Sequence, residues 1–385
     1  MSLYHPEPDG SETRVSGAHI IAICMAALFT ISGPHQEARA QVLQNPVRIG
    51  VVGLVHDHVH WILGREERGD IEIVGIAEPN RALAQRYADQ YGFGMEIVYD
   101  SVEELIEAAQ PEAVTVFTSI YDHLRVTEIA ARHGIHVMVE KPLAVSLEHA
   151  RRMKHVADSA GIQLITNYET SWYPSVFRTR AIVEAGEIGP IRKIVVRDGH
   201  RGPKEIGVSD EFLAWLTDPE LNGGGAIVDF GCYGANLITW LLDGQRPIAV
   251  TAVMQTIKPD IYPDVDDEAT IIVTYPDAQG IIQASWNWPI SRKDMSVYGM
   301  SGYVHADNTR MMRIRPSEDE PESRIEAETF PDHHDDPFSY FAAVVRGTIQ
   351  PESDLSSLET NMIVMQILDA ARESAATGRT VSIER

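Results

Sequence analysis

The chain has 385 residues, 44% of them hydrophobic, and a formal net charge of −24 at pH 7. Its length exceeds what one hydrophobic core usually serves, so the sequence predicts two domains. The negative charge and the lack of any basic run argue against binding to nucleic acid or to anionic lipid surfaces. The two cysteines, Cys24 and Cys232, are too few for a disulfide framework or a cysteine zinc site.

The N-terminal segment has the pattern of an export signal. Arg14 precedes an apolar run from Ala18 to Ser32, and Ala38-Arg39-Ala40 forms a cleavage site before Gln41. The run is short for a bilayer-spanning helix, and the stretch before it is acidic and carries no twin arginine. We expect a signal peptide over residues 1–40, a periplasmic or secreted mature protein and no integral membrane domain. An uncleaved anchor and a disordered tail are the alternatives.

From Val47 onward, short β-branched runs alternate with helical segments, which is the pattern of parallel βαβ units in an α/β fold. A helix is predicted from His60 to Arg68, between the first two strands. The first predicted domain covers residues 47–167 and has a doubly wound parallel sheet of the Rossmann type, with its ligand crevice at the C-terminal ends of the strands. Its predicted strands are Val47–Val52, Ile71–Ala77, Ala113–Thr118, Ile135–Glu140 and Gln163–Asn167.

In the second half of the chain, strand-like runs follow one another with turn signals between them. The pattern predicts an α+β domain over residues 168–385, built on a large, mostly antiparallel open sheet. A helix over about 355–377 should end at a C-cap on Gly378, and the polar segment Ser317–Glu328 should be a loop. The predicted strands are Ile191–Arg197, Ile248–Thr256, Ala269–Thr274, Gly280–Trp286 and Asp294–Tyr298.

Gly53 closes the first strand and starts a turn into a helix, where a dinucleotide pyrophosphate rests on helix N–H groups. The usual G-x-G-x-x-G fingerprint is broken, because Val55 and His58 occupy the second and third glycine positions. Glu78 ends the second strand, where an acid accepts hydrogen bonds from the adenosine ribose and repels a 2′-phosphate. NAD is therefore favoured over NADP. A surface acid before Pro79 is the structural alternative for Glu78.

Four polar residues, His56, Asp57, His58 and His60, crowd the same turn. His56 and His60 would share one helix face at i, i+4, which permits a metal-ligand interpretation. The imidazoles can instead donate to a phosphate or cap the helix, and these interpretations are favoured. The sequence thus predicts no bound metal.

Lys141 follows a buried strand and precedes Pro142, which favours an extended backbone at the C-terminal edge of the strand. From there its ammonium can hold a substrate hydroxyl oxygen beside the nicotinamide, while Glu140 balances its charge or contacts the ribose. A solvated lysine in a turn is the alternative for an isolated Glu-Lys-Pro, but it fits this strand order poorly.

A glycine run, Gly223 to Gly225, leads into an apolar helix in which Asp229, Tyr233 and Asn236 fall at i, i+4 and i+7 and therefore on one face. Three polar groups on such a helix need partners or a ligand. A phenol beside an ammonium has a lowered pKa, which suits Tyr233 to proton exchange with a sugar hydroxyl. Cys232 points elsewhere and should only pack.

These motifs make the chain resemble the Gfo/Idh/MocA family of oxidoreductases, across Val47 to Ile383. The motifs are Gly53, the Glu-Lys-Pro sequence, the Gly186-Glu187-Ile188-Gly189 sequence before a strand, and the segment from Gly223 to Asn236. Thr118 to His123 stands in the place of the family's T-P-N-x-x-H, with Ser119-Ile120 departing from its Pro-Asn.

The resemblance implies hydride transfer between a nicotinamide cofactor and a sugar or polyol, with Lys141, Asp229 and Tyr233 catalytic. Tyr233 and Asn236, where many members have His and Asp, make the segment similar to the exported glucose-fructose oxidoreductase branch. The open sheet, like that of the family, implies a homodimer or homotetramer formed through its outer face. The alternatives are a redox-assisted glycosidase or lyase that retains NAD, and a non-catalytic sugar-binding protein with a degenerate cofactor site.

The residues expected to bind the cofactor lie at the phosphate turn and at strand ends: Gly53, Leu54, Val55, His56, His58, Glu78, Thr118, Ser119, His123, Glu140, Lys141 and Asn167. Those expected to bind the sugar lie in the second domain: Tyr168, His200, Arg201, Asn236, Trp286 and Trp288. The two tryptophans are potential sugar-stacking faces, with packing in the core or at an interface as the alternative.

Overall fold

The structure is a computed structural model that describes residues 46–331 and 333–383, and these residues belong to one compact unit. The predicted signal peptide and Cys24 lie outside the described residues. No helix in the described part of the chain is long and apolar enough to cross a bilayer.

The first sheet contains six strands, all paired in parallel. They are β1 (Val47–Val52), β2 (Ile71–Ala77), β3 (Val98–Tyr99), β4 (Ala113–Val116), β5 (His136–Glu140) and β6 (Leu164–Asn167). Their spatial order is β3-β2-β1-β4-β5-β6, so the strand order reverses between β1 and β4. A doubly wound sheet binds its ligand at that reversal, beyond the C-terminal ends of the strands.

Five helices connect these strands among the described residues: α1 (Val59–Leu63), α2 (Arg81–Tyr91), α3 (Val102–Ala109), α4 (His123–Arg132) and α5 (Leu147–Ala160). The predicted doubly wound α/β fold is confirmed. The helix predicted to reach Arg68 is wrong at its end, because α1 stops at Leu63 and Arg65 turns to bond Asp70 and Asp336. The edge strand β3 was not predicted, since two residues are too few to show an alternating pattern.

The second sheet contains nine strands: β7 (Ile191–Gly199), β8 (Ala249–Gln255), β9 (Glu268–Thr274), β10 (Gln279–Ser285), β11 (Arg292–Gly299), β12 (Tyr303–Ala306), β13 (Met311–Arg315), β14 (Ser323–Glu326) and β15 (Val381–Ser382). Their order is β14-β13-β12-β11-β7-β10-β9-β8-β15, antiparallel except between β7 and β10. The large, mostly antiparallel sheet is confirmed. The loop predicted over Ser317–Glu328 is wrong in part, because the exposed edge strand β14 lies within it.

The helices of this half are α6 (Pro174–Glu184), α7 (Pro203–Ile206), α8 (Asp210–Leu216), α9 (Ala226–Asp229), α10 (Gly231–Leu241), α11 (Pro337–Val345) and α12 (Leu358–Thr377). Helix α10 is buried along its whole length and packs against β7, β10 and α12. Helix α12 begins after Ser357, whose side chain accepts from the Thr360 N–H, and it ends at Gly378 as predicted. One hydrophobic cluster joins β5 of the first sheet to β10 of the second.

Gly53 and Gly92 offer a matched test of the phosphate turn, because both have a left-handed φ, +79° and +78°. A Cβ on Gly53 would lie 2.7 Å from Thr118 Cγ2 and 2.9 Å from the Phe117 carbonyl oxygen, whereas one on Gly92 would meet nothing within 4 Å. We expect Gly92→Ala to lower the free energy of unfolding by about 1 kcal/mol, because alanine is strained in the left-handed conformation. Gly53→Ala should lower the free energy of unfolding by at least about 1 kcal/mol more, because its Cβ also crowds Thr118 and Phe117. Urea unfolding measures both losses, and equal values would contradict the close approach at Gly53.

Candidate active site

Lys141, directly after β5, and Asp229, at the end of α9, form an ion pair in which each side chain is 6% exposed. The Lys141 ammonium also donates to the Asp229 carbonyl oxygen at 3.1 Å. Desolvation opposes both charges, but the attraction between them outweighs it, so the pKa of Lys141 is raised and that of Asp229 is lowered. An ammonium has three donors, and the third has no partner among the described residues. It remains available to a substrate oxygen.

Asp229 is fixed from its other side by Trp286, whose indole Nε1 donates to Oδ2 at 2.9 Å. Trp286 is fully buried, so it presents no ring face to a sugar, and its predicted stacking role is wrong. The Cys232 thiol donates to the Asp229 carbonyl oxygen at 3.3 Å and is otherwise packed, as expected. Trp286 therefore holds the carboxylate in place for Lys141, and Cys232 contacts the backbone of the same residue.

The segment after Asp229 is not the single helix that the sequence predicts. Helix α9 ends at Asp229, Phe230 lies between the two helices, and α10 begins at Gly231. Asn236 is fully buried, and its amide nitrogen donates to the Leu355 carbonyl oxygen at 2.8 Å. Asn236 thus anchors the segment before α12, and its predicted contact with substrate is wrong.

The Tyr233 ring lies near two ammonium groups, with Lys293 Nζ at 4.4 Å and Lys141 Nζ at 5.2 Å from the ring centroid. Lys293 also donates to the Tyr233 hydroxyl oxygen at 3.4 Å. Burial, with the nearby carboxylates of Glu169 and Asp229, raises the pKa of Tyr233 well above its ordinary value. The predicted lowering is wrong, because each ammonium is already paired with a carboxylate and its field is largely cancelled.

Lys293 of β11 and Glu169, in the turn after β6, form the second ion pair of the site. Glu169 also accepts a hydrogen bond from the Tyr173 hydroxyl. Desolvation opposes the Glu169 charge, but Lys293 overcomes it and lowers the pKa of Glu169 to about 2. Neither residue was singled out from the sequence. The available signals were weak: Glu169 follows Tyr168, and Lys293 immediately precedes a predicted strand.

A cavity of about 830 Å³ opens over these two pairs. His200, predicted to bind substrate, lines it, and its Nδ1 accepts from the Gly202 N–H at 2.9 Å. Burial lowers the pKa of His200 to about 4, so the ring is neutral at pH 7 with its proton on Nε2, as a hydrogen-bond donor. The wall includes Lys141, Glu169, His200, Asp229, Tyr233 and Lys293.

Three other residues predicted to bind substrate do not line this cavity. Tyr168 is fully buried, edge-on to Tyr233 at 5.5 Å between centroids. Arg201 is exposed, and its carbonyl oxygen accepts from Lys258. The Trp288 ring is covered by the Arg292 guanidinium at 5.1 Å. The predicted sugar contacts at these three positions are wrong for this geometry.

A second cavity, of about 540 Å³, lies at the C-terminal ends of β1, β2 and β4, where the strand order reverses. Glu78 lines it, buried, with Oε2 accepting from the Leu54 N–H at 2.9 Å and Oε1 from the Asn80 N–H at 2.8 Å. Burial raises the pKa of Glu78 from its ordinary value. The predicted cofactor residues on this wall are Gly53, Val55, Glu78, Thr118 and Ser119.

Most backbone N–H groups of the turn after Gly53 already donate to acceptors within the protein. The Val55 and His56 N–H groups donate to the Phe117 carbonyl oxygen at 3.2 and 3.1 Å. The His58 N–H donates to His56 Nδ1 at 3.1 Å, so the neutral His56 ring carries its proton on Nε2. Burial lowers the pKa of His56 well below its ordinary value and keeps the ring neutral. Nε2 is buried without a partner among the described residues, and such a donor at this turn fits a pyrophosphate oxygen.

Both carboxylate oxygens of Glu140 are hydrogen-bonded, one to His58 Nδ1 at 2.9 Å and the other to Asn167 Nδ2 at 2.7 Å. Asn167 also accepts from the Trp172 indole at 2.8 Å. His123 is fully buried, with Nδ1 3.2 Å from the Leu143 carbonyl oxygen. Asn167 and His123 therefore support the loop that carries Lys141, and neither lines the two cavities as predicted for cofactor ligands.

The histidine cluster divides into two groups. His60 Nδ1 lies 2.6 Å from the Tyr91 hydroxyl, while ligand-type atoms of His56, His58 and Glu140 lie within 4.8 Å of one another. The prediction that His56 and His60 share one helix face is wrong, because α1 begins only at Val59. The unpartnered nitrogen of His56 carries a proton, so in this tautomer it is a donor and not a metal ligand.

The sequence matches two models of one family. Residues 47–168 match the model described as the oxidoreductase family with an NAD-binding Rossmann fold, and residues 176–305 match the Gfo/Idh/MocA C-terminal domain. The chain belongs to the Gfo/Idh/MocA family of oxidoreductases. The resemblance inferred from the motifs is confirmed, although the phosphate turn of this member is altered.

Known relatives cover most of the chain. It is 24% identical over 349 residues to D-xylose 1-dehydrogenase (NADP+) of Haloarcula marismortui, covering 88% of this chain and 94% of that protein. It is 25% identical over 354 residues to 1,5-anhydro-D-fructose reductase of Ensifer adhaerens, covering 88% and 98%. An inositol dehydrogenase homolog from Azotobacter vinelandii, solved with NAD+, superposes with a TM-score of 0.76 at 19% identity, covering 88% and 98%. That likeness shows the shared fold.

Trp286→Phe tests the support of Asp229. The phenyl ring keeps most of the packing but removes the indole N–H, which leaves Asp229 Oδ2 buried without its donor. We expect the free energy of unfolding to fall by about 1–3 kcal/mol. Trp288→Phe is the matched control and should change it by less than about 0.5 kcal/mol, because no hydrogen bond of its indole is described. Similar losses in the two variants would show that the Trp286 donor has no special role.

Proposed function

We propose that the protein is an NAD-dependent dehydrogenase or reductase that acts on a hydroxyl or carbonyl carbon of a sugar or polyol. The observation that carries the proposal is the Lys141–Asp229 pair, which presents one free ammonium N–H to the same cavity that Tyr233 lines. The cavity that holds Glu78 and Gly53 lies at the cofactor position of the fold.

Each residue of the site has a defined chemical task. Lys141 donates its free N–H to the substrate oxygen and stabilises the alkoxide character that this oxygen gains. Tyr233 exchanges a proton with the same oxygen, and its phenol is protonated at rest because burial raises its pKa. Asp229 keeps Lys141 charged and oriented. The dinucleotide, when bound, supplies or accepts the hydride.

The preference for NAD rests on Glu78. Its carboxylate lines the smaller cavity at the end of β2, where a 2′-phosphate would place a second negative charge against it. The names of the relatives include both cofactors, NADP+ for the xylose dehydrogenase and NAD+ for the inositol dehydrogenase homolog. The carboxylate therefore supports NAD for this chain.

The sugar class is supported by the wall of the larger cavity and by the relatives. His200 and Lys141 each offer an N–H donor, and Glu169 and Asp229 offer acceptors, which suits a ligand with several hydroxyl groups. Each ion pair joins one positive to one negative charge, so the two pairs carry no net charge, which suits an uncharged ligand. The relatives named above are enzymes of xylose and of anhydrofructose.

The direct test releases and identifies the cofactor, then follows nicotinamide absorbance across a panel of sugars, polyols and glycosides. We expect NAD(H) in the denatured protein, or an NAD-induced rise in Tm, and turnover of at least one sugar. Lys141→Gln and Tyr233→Phe should each lower kcat at least about 100-fold while NAD still binds. Tyr275→Phe, a buried tyrosine remote from both cavities, is the control.

The outcomes separate the proposal from its alternatives. If the denatured protein releases no dinucleotide and NAD causes no shift in Tm, the redox function is refuted and a sugar-binding protein is favoured. Glycoside cleavage with retained NAD and without net NADH would favour the redox-assisted glycosidase. Near-normal rates in Lys141→Gln or Tyr233→Phe would refute the proposed role of that residue.

We further propose export with cleavage before Gln41, and assembly into a homodimer or homotetramer through the outer face of the nine-stranded sheet. Exposed apolar side chains on the outer face of that sheet, Val253 of β8 and Met311 of β13, support an interface there. The protein from a periplasmic fraction should begin at Gln41, and its mass by light scattering should be two or four times that of one chain. Retention of the leader would refute the first proposal, and a monomer the second.

A further inference from the structure

Asp198, near the end of β7, is a buried carboxyl group to which the proposed chemistry assigns no task. Its side chain is 1% exposed, and neither carboxyl oxygen has a hydrogen-bonding partner among the described residues. Burying an unpaired carboxylate is costly, so such a group is normally replaced or paired. Its presence beside the site requires a reason.

The register of the second sheet places Asp198 next to the site. Asp198 of β7 is paired directly with Lys293 of the antiparallel strand β11, and residues opposite each other in such a pair project from the same face. Lys293 in turn donates to the Tyr233 hydroxyl oxygen and to Glu169. Proton-carrying groups therefore lie in sequence from Tyr233 through Lys293 towards Asp198, and a direct hydrogen bond is missing only between Lys293 and Asp198 among the described residues.

A small cavity completes this series. It has a volume of about 10 Å³ and is lined by Asp198, Lys293, Thr170 and Tyr173, among others. The Thr170 hydroxyl, like the Asp198 carboxyl, has no described partner. A space of this size with several polar partners is suited to one water molecule, which could link Lys293 to Asp198.

The other carboxylates beside Tyr233 are poor proton acceptors. Lys293 lowers the pKa of Glu169 to about 2 against desolvation, and Lys141 lowers the pKa of Asp229 in the same way. For Asp198, burial raises the pKa well above its ordinary value, Asp294 and Glu169 raise it further, and Lys293 and Lys141 only partly oppose this. Asp198 is thus the one of these three carboxyl groups whose pKa is raised, so it holds a proton more strongly than the other two.

We propose that Asp198 is the internal proton store of the reaction, connected to the substrate oxygen through Lys293 and Tyr233. In reduction, hydride adds to the carbonyl carbon and Tyr233 gives its proton to the carbonyl oxygen. The Tyr233 oxygen then takes a proton from the Lys293 ammonium, and Lys293 takes one from the Asp198 carboxyl, which ends as a carboxylate. In oxidation the same protons move in the opposite direction. Asp198 and Lys293 are positioning residues, and their roles rest on the proposed function.

The first test needs no substrate and compares the unfolding of wild type with that of Asp198→Asn, which keeps the shape of the side chain. A raised pKa in the folded state means that folded protein binds more protons than unfolded protein between the two pKa values. Relative to Asp198→Asn, wild type should therefore lose stability as the pH rises from about 4, the ordinary pKa of an aspartate, into the neutral range. A constant difference in Tm across this range would overturn the titration of Asp198.

The second test uses a sugar that wild type turns over. Asp198→Asn should lower kcat at least about 10-fold, leave KM within about twofold and remove the corresponding pH dependence of kcat. Lys293→Arg keeps a cation beside Glu169 but cannot release a proton, so it should be as slow as Lys293→Gln. A merely structural lysine would be rescued by arginine, and that rescue would overturn the relay.

The two tests separate failure of the relay from failure of the proposed function. If wild type turns over no sugar, the proposed redox function fails and the relay fails with it. If wild type is active and Asp198→Asn has the same kcat and pH profile, only the relay is refuted.

Discussion

The site depends on the buried ion pair between Lys141, at the end of a strand of the first sheet, and Asp229, at the end of a helix that packs on the second sheet. Removing two charges from water costs several kcal/mol per ion, and their attraction recovers this only with good geometry and further hydrogen bonds. The Trp286 indole and the Asp229 carbonyl oxygen supply those bonds. The pair therefore fixes the relative positions of the catalytic groups and leaves one lysine N–H for a substrate.

The charges in the site are balanced in a way that explains its chemistry. Lys141 is paired with Asp229 and Lys293 with Glu169, and the Tyr233 ring lies near both ammonium groups. A balanced site suits an uncharged sugar and keeps the phenol protonated at rest. Tyr233 can then act as a proton carrier only if another group supplies or removes a proton. The buried Asp198 carboxyl is the group proposed to do so.

Local patterns determined what the sequence could predict. The bounds of β1 and β2 match the prediction because buried parallel strands are continuous apolar runs, and the family motifs identify Lys141 and Asp229 as site residues. The contacts that complete the site are not local: Glu169 meets Lys293 124 residues later in the chain. The break at Phe230 and the burial of Trp286 likewise depend on packing, so their consequences for Asn236 and for sugar stacking could not be predicted.

The central claim is that Lys141 and Asp229 act as one unit, and a double-mutant cycle measures this directly. Lys141→Met and Asp229→Asn, each alone, leave a buried group without its partner, and we expect each to lower the free energy of unfolding by about 3 kcal/mol or more. In the double variant no unpaired charge remains, so its loss should be smaller than the sum by at least about 2 kcal/mol. Losses that add within about 0.5 kcal/mol would contradict the account.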